Sequence, residues 1–371
     1  MRLAQLALFA RGGTAACAIP SARTILTLSE ALVAAGHDVT LFNNFGSRGE
    51  PRVIQVWPEG VRFGEYPADT RGPLLLILEE VRRHANEFDL MHSHSGCFSL
   101  SSLSRQNVPF VSNVHDRLDW PERQRRYSAF PSAALDSAAN AQRRQLLRAN
   151  WLASVRYCLP VKSSTAGARR SSGYSAYLEA LTPDSRVDIA VRIAADAGVP
   201  IKVAGKLRSR GDKASYRQKL APSLRHPHVA YVGEVEELQK QDFWRNACAL
   251  LMRGKEQVIA MEAINVMAVS TPVIAFEHGP ASEVVQDRIS GFVVADEPQS
   301  VAAIQRSFDT DRSRVRGVLE QCFCSAAVAT QYLRIYERLS IRKRYPLRLS
   351  ARARLHEFLA HSFVSQGRAN I

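Results

Sequence analysis

Cysteine is scarce and scattered, with six residues (Cys17, Cys97, Cys158, Cys248, Cys322, Cys324) among 371 and no CxxC pair. That spacing excludes a disulfide framework and a zinc ribbon, so free thiols in a reducing cytoplasm are expected. Long apolar runs are also missing: none approaches the roughly 20 residues that span a bilayer. The opening "MRLAQLALFARGG" has a short apolar part, is broken by Gln5, and passes to Arg11 rather than to a small-residue cleavage site. It predicts a first buried strand rather than a signal peptide. Acidic residues fall short of basic ones, 35 against 49, leaving a formal charge of +14. From Arg338 to the end, eight Arg or Lys face the single acid Glu357, so +7 of the excess sits in the last 34 residues.

A chain of 371 residues is too long for one ordinary core, and two domains are expected. Hydrophobic content of 46% with 23% charged residues is that of a soluble globular protein, cytoplasmic or at most peripheral at the inner face of a membrane. The basic tail suits an anionic surface such as lipid headgroups, or is simply a solvated end. Within it, residues 351–360 set Leu355, Phe358 and Leu359 on one face, a pattern for a membrane-surface helix or one packed on the first domain. A nucleic-acid partner is not expected, because no motif or aromatic–basic interleaving accompanies the charge.

Residues 2–9 read as a strand, residues 25–35 as a helix closed by Gly36, and "HDVTLFNN" as a second strand. Helix 74–88 and the strands "DLMHSHS" and "VPFVSNVHD" follow, then a second βα series from "SAYLEAL" onwards. Alternating strands and helices predict parallel βαβ units in doubly wound sheets. His92, His94 and His115 fall at C-terminal strand ends, where such sheets bind ligands. The expected organisation is a Rossmann-like domain over 1–158, a linker over 159–175, a second Rossmann-like domain over 176–339, and a tail over 340–371.

Several collinear segments carry a resemblance. "MAVSTPVIAFEHGPASEVVQDRISGFVV" is similar to the donor-site segment of family-4 retaining glycosyltransferases, enzymes of the two-domain GT-B fold. "LSEALVAAGHDVTLF", "HSHS" and "NVHDRLDWPE" agree in order, as do "LTPDSRVDIAVRIAADAGVPIKVAGK" and "YVGEVEELQKQDFWRNACALL". The resemblance runs from about residue 1 to 339. It implies a GT-B α/β fold with a central cleft, a nucleotide-sugar in the second domain, and a saccharide or lipid-linked acceptor in the first. It also implies hexosyl transfer with retention, no metal and no separate cofactor.

Such a donor site needs cations and amides for the leaving diphosphate, and a carboxylate for the ribose hydroxyls. The family supplies a Glu-x7-Glu pair, an Arg and a Lys. Register from "STPVIAF" puts the glutamates at Gln257 and Asn265, and register from "LTPD" puts the Arg and Lys at Ala180 and Ser185. All four positions lack an ionisable group. Val258, Ile259 and Ala260 replace the family's Pro-Phe-Gly run, although their amides can still meet a phosphate. Two lost charged hydrogen bonds, at about 1.5 to 3 kcal/mol each, correspond to roughly 10² to 10⁴ in affinity or rate. Lys206, Arg253 or Lys255 can compensate in part.

The resemblance places a histidine near acceptor and donor sugar at His115, the candidate catalytic residue; by itself a strand-end histidine is an ordinary core or surface group. His92 and His94 have no visible third metal ligand. Glu283 reads as a first-turn helix acid rather than a ligand, and Met261 and Met267 as core fillers. The expected function is therefore a family-4-like glycosyltransferase with impaired activity, and the alternative is an inactive pseudoenzyme that binds a nucleotide, glycan or protein.

Overall fold

The structure is a computed structural model that describes residues 1–7, 22–43, 51–56, 71–116, 118–159, 173–179, 181, 185–205, 220–253 and 260–344. Ala180, Lys206, Lys255, Gln257, Val258, Ile259, most of the linker and the tail beyond residue 344 lie outside the described residues. Among the described residues no helix is long and apolar enough to cross a membrane.

The first sheet has seven parallel strands in the order β3-β2-β1-β4-β5-β6-β7: β1 (Arg2–Ala7), β2 (Asp38–Asn43), β3 (Arg52–Gln55), β4 (Leu90–Ser93), β5 (Phe110–Val114), β6 (Leu135–Ser137) and β7 (Trp151–Ser154). The inner strands β1, β2 and β4 are buried almost end to end, as a parallel sheet covered on both faces requires. Helix α1 (Ala22–Ala34) packs Leu28 and Leu32 against Leu3, Val39 and Leu90 on one face. Helix α2 (Arg71–His84) packs Leu74, Ile77 and Val81 against Ala4, Leu6 and Met91 on the other. Gly36, at φ 85, closes α1 in the left-handed conformation that glycine adopts without penalty.

The second sheet has six parallel strands, ordered β10-β9-β8-β11-β12-β13: β8 (Tyr174–Leu178), β9 (Ile201–Ala204), β10 (Val229–Gly233), β11 (Ala247–Met252), β12 (Val273–Phe276) and β13 (Gly291–Val294). Alternate residues of its strands feed two apolar layers. Val187, Ala190, Ile193 and Ala194 of the helix Val187–Asp196 fill one, and Ala263, Ile264, Val266 and Met267 of the helix Met261–Ala268 fill the other. The helix that carries Asn265 begins at Met261. Ala260 leaves helical geometry at φ −83, ψ 46 and is itself buried, and Glu262 places its charge in the first turn. Met267 is a core filler as read; Met261 packs at the core's edge.

The chain crosses back after the second sheet. Leu159 donates its N–H to the carbonyl of Phe323 at 3.1 Å and bridges Cys324. The C-terminal helix (Ser325–Arg344) then lies against α1, adding Val328, Tyr332, Ile335 and Tyr336 to the first domain's core. Two doubly wound α/β domains are the fold class expected from the sequence; the return of the helix Ser325–Arg344 to the first domain was not expected.

Candidate active site

The order of the second sheet reverses between β8 and β11, and a doubly wound sheet opens its binding crevice at that point, beyond the carboxyl ends of the strands. Arg253 follows β11 directly. It is half-buried, its guanidinium lies 5.2 Å from the centroid of the Phe276 ring, and its Nε has no hydrogen-bond partner among the described residues. Its pKa is lowered by burial first and by the charge of Arg186 second, yet a guanidinium stays protonated at any physiological pH.

Arg186 stands at the N-cap of the helix Val187–Asp196 with φ 51, in the left-handed region. A non-glycine residue there costs about 1 kcal/mol or more, and such strain gathers at ligand sites. Its guanidinium also pairs with Asp188 at 3.5 Å. Sequence reasoning missed Arg186. The available signal was its position immediately before an apolar helical repeat with an acid, Asp188, in the first turn.

Ser185 is buried, and its carbonyl lies within hydrogen-bond reach of the Tyr177 hydroxyl, which also meets Glu179 Oε2 at 2.6 Å. Gly205 closes the same end of the sheet at φ 148. A Cβ there would stand 1.8 Å from the Glu179 carbonyl oxygen, so only glycine fits. Asn265 is half-buried on the helix Met261–Ala268.

In the first sheet the order reverses between β1 and β4. A buried polar chain gathers there. Asn113 Nδ2 donates to the Tyr332 hydroxyl at 2.8 Å, which orients Asn113 Oδ1 to accept from His92 Nε2 at 2.6 Å. His92 Nδ1 is then left to accept from the Tyr336 hydroxyl at 2.7 Å. Gln5 Nε2 donates to the same hydroxyl at 3.2 Å, and Gln5 Oε1 accepts from His94 Nε2 at 2.8 Å. The Tyr332 hydroxyl donates to Asp136 Oδ2 at 3.0 Å. The return helix is thus tied into the sheet by two tyrosines whose donors and acceptors form one consistent sequence.

Burial keeps the rings neutral. It lowers the pKa of His92 to about 4 and that of His115 to about 3, holds His94 well below its ordinary value, and pushes Asp136 well up. His115 Nδ1 bonds the Tyr157 hydroxyl. His115 Nε2 and His94 Nδ1 have no partner among the described residues, and the two rings stack at 6.0 Å with an interplanar angle of 11°. His94 also lines a cavity of about 10 Å³ with Asn113, Arg156, Tyr157 and Tyr332, about the smallest space that holds one water. The site can accept a hydrogen bond from a hydroxyl and can exclude bulk water. Among the described residues no group of three or more His, Cys, Asp or Glu could hold a metal ion.

Glu283 ends the short 3-10 turn Pro280–Glu283 after β12. It is a first-turn acid, and it also reaches the other domain. Its carboxylate accepts the N–H groups of Asn140 and Ala141, the start of the helix Asn140–Arg144 after β6, at 2.7 and 2.8 Å. Arg156 adds a contact at 3.3 Å. The carboxyl ends of the two sheets therefore face each other across a cleft.

Residues 21–154 match the family model described as Glycosyltransferase Family 4, and residues 177–309 match Glycosyl transferases group 1. The chain belongs to the family-4 glycosyltransferases. No curated protein sequence matches it. Among solved structures of this GT-B fold, it is similar to sucrose-phosphate synthase (tll1590) from Thermosynechococcus elongatus, at 16% identity and a TM-score of 0.67 over 91% of this chain and 99% of that one. It is also similar to a glycosyltransferase from Rickettsia africae ESF-5, at 13% identity and a TM-score of 0.65 over 91% and 98% of the two chains. Alr3699/HepE of Anabaena, solved in complex with UDP and glucose, is similar at 14% identity and a TM-score of 0.59 over 90% and 99%. At these identities the likeness is one of fold.

Proposed function

We propose that this family-4 glycosyltransferase binds a nucleoside-diphosphate sugar at the reversal point of its second sheet and transfers the sugar weakly, with a saccharide or lipid-linked acceptor seated on the first domain. The observation that carries the reading is Arg253, placed directly after β11 at that reversal point, half-buried, with its Nε unpartnered among the described residues and its pKa lowered first by burial and then by the charge of Arg186. A half-buried guanidinium with an unsatisfied N–H at such a point is stabilised by an anion such as a diphosphate, and Arg186, whose pair with Asp188 at 3.5 Å is solvent-exposed, adds a second positive charge nearby. The HepE structure with UDP is consistent with a uridine nucleotide as the first ligand to test.

Transfer is weakened because positions 180, 185, 257 and 265 hold no ionisable side chain. Ser185 is buried, so it offers the diphosphate neither charge nor an exposed hydroxyl. His115 Nε2 accepts a hydrogen bond in the tautomer whose Nδ1–H donates to the Tyr157 hydroxyl, and its low pKa keeps the ring neutral at neutral pH, so it orients a hydroxyl rather than takes its proton. Calorimetric titration with UDP, GDP and their sugars, run beside a donor-hydrolysis assay, tests the reading. Micromolar binding with slow turnover is expected. Binding without turnover establishes the pseudoenzyme instead, and absence of nucleotide binding overturns the proposal.

A further inference from the structure

The first domain carries an aromatic and basic rim that the donor chemistry does not use. Phe98, in the turn after β4, is 52% exposed, and Trp120, in the loop after β5, is 37% exposed. Each lies under a guanidinium of the helix Pro121–Ser128: Arg126 stands 6.0 Å from the Phe98 centroid and Arg123 stands 4.4 Å from that of Trp120.

The two loops form one surface around Asp116, which takes the Tyr127 hydroxyl at 2.8 Å and Arg123 at 3.6 Å. The Asp116 carbonyl accepts from Gln142 at 3.2 Å, which joins the helix Asn140–Arg144 to the same surface. Residues 116–148 hold seven arginines against four acids, and one of those acids, Asp136, is buried in the histidine network. Arg125 and Arg126 are exposed. The fold thus places two aromatic–basic pairs on one rim.

The rim is also next to the candidate catalytic residue, because Asp116 follows His115 in the chain. Its complementarity to anions already has an example in the molecule: the Glu283 carboxylate rests on backbone N–H groups of this domain beside Arg156. We propose that the acceptor is an anionic saccharide, with pyranose faces stacked on Trp120 and Phe98 and its carboxylate or phosphate groups on Arg125 and Arg126. The proposal rests on the glycosyltransferase reading above and names the substrate class of its acceptor side. Sugar C–H faces are apolar and match aromatic rings, while guanidinium forks match carboxylate and phosphate geometry. A neutral glycan offers these exposed guanidiniums no charge to meet.

The test is titration of the full chain with a tetrasaccharide of hexuronic acids, a singly phosphorylated neutral tetrasaccharide, the unmodified neutral tetrasaccharide and a 12-nucleotide single-stranded DNA, with UDP and GDP titrated in parallel. At least one charged saccharide is expected to bind about tenfold more tightly than the neutral one at low salt, and the tighter of the two names the anionic group. The advantage shrinks as salt rises from about 50 to 200 mM. Arg125→Gln with Arg126→Gln, both at exposed positions, is expected to remove the tenfold preference. Trp120→Ala is expected to weaken all saccharides alike, with Trp120→Phe restoring most of the affinity. Equal binding of charged and neutral saccharides, tighter binding of the oligonucleotide, or an unchanged preference in the folded double arginine variant overturns the proposal. Loss of UDP and GDP binding alone overturns the donor reading and leaves this one standing.

Discussion

Glu283 and Asn140 belong to different domains, and the carboxylate Oε2 of the first accepts the backbone N–H of the second at 2.7 Å. Ala141 adds a second N–H at 2.8 Å and Arg156 a guanidinium at 3.3 Å. The Glu283 side chain is only 13% exposed, so these charge-assisted bonds are little screened. They differ in kind from the return helix, whose tyrosines are fully buried and act as a permanent tie. The first contact can open without exposing a core; the second cannot.

Glu283→Ala is therefore expected to loosen the closed arrangement without unfolding either domain. Each lost charged hydrogen bond corresponds to about 2 kcal/mol. Hydrogen exchange at Asn140 and Ala141 should rise, and the radius of gyration from small-angle scattering should increase. Glu283→Gln keeps one carbonyl acceptor and should fall between. Unchanged exchange in the alanine variant would show that the contact does not hold the domains.

Arg253→Gln should weaken UDP binding by about tenfold while leaving uridine binding unchanged, since uridine has no diphosphate. Arg186→Gly should act in the same direction on charge but relieve the left-handed backbone at φ 51, so its melting temperature should not fall. Equal losses for UDP and uridine would mean that Arg253 holds the fold of the crevice rather than the phosphates.

Restoring the family's groups with Ala180→Arg, Ser185→Lys, Gln257→Glu and Asn265→Glu should raise nucleotide affinity and turnover together. Ser185 is buried beside Tyr177, so its replacement by lysine carries a stability cost of about 1 to 3 kcal/mol unless the ammonium reaches the crevice. The triple variant that keeps Ser185 separates the two effects. No gain from either variant would falsify the assigned register.

Stability should fall as the pH drops from 6.5 towards 4. His92, His94 and His115 have folded pKa values below the unfolded 6.5, so in that window the unfolded chain binds protons that the folded chain does not. His92 and His115 each contribute about 1.5 kcal/mol of loss between pH 6.5 and 5, and His94 acts in the same direction. Asp136 acts with the opposite sign, because its folded pKa is raised and its contribution is lost as the pH rises above 3.8. Asp136→Asn removes that opposing group while keeping an acceptor for Tyr332. Its melting temperature should therefore drop more steeply between pH 7 and 5 than that of the parent. A flat profile in both proteins would contradict the neutral histidine network.

Tyr336→Phe leaves Gln5 Nε2 and His92 Nδ1 without their shared partner inside the core. A destabilisation of about 1 to 3 kcal/mol is expected, read as a lower denaturant midpoint at an unchanged slope. Tyr332→Phe should cost at least as much, since it also strips a donor from Asp136.

The period of the strands and helices was legible in residue order because burial imposes it locally. A parallel strand covered on both faces must be nearly continuously apolar, as in "ACALLM", and a helix over a sheet must repeat its apolar residues every three or four positions. The family resemblance, the four vacant ionisable positions and the strand-end histidines followed from the same linear text. What residue order does not contain is which distant groups share a site. Arg186 and Arg253 are 67 positions apart and come to the same end of the sheet only because β8 and β11 are neighbours in it. Glu283 looked like a local helix acid because its partners lie 142 and 143 residues away. His92 and His94 read as a strand-end pair without a third ligand because Tyr336, 244 residues on from His92, arrives only with the return helix. Local patterns are set by burial and backbone geometry, which act over a few residues. Charge pairing and buried hydrogen bonds depend on separation in space, and only the folded chain sets that.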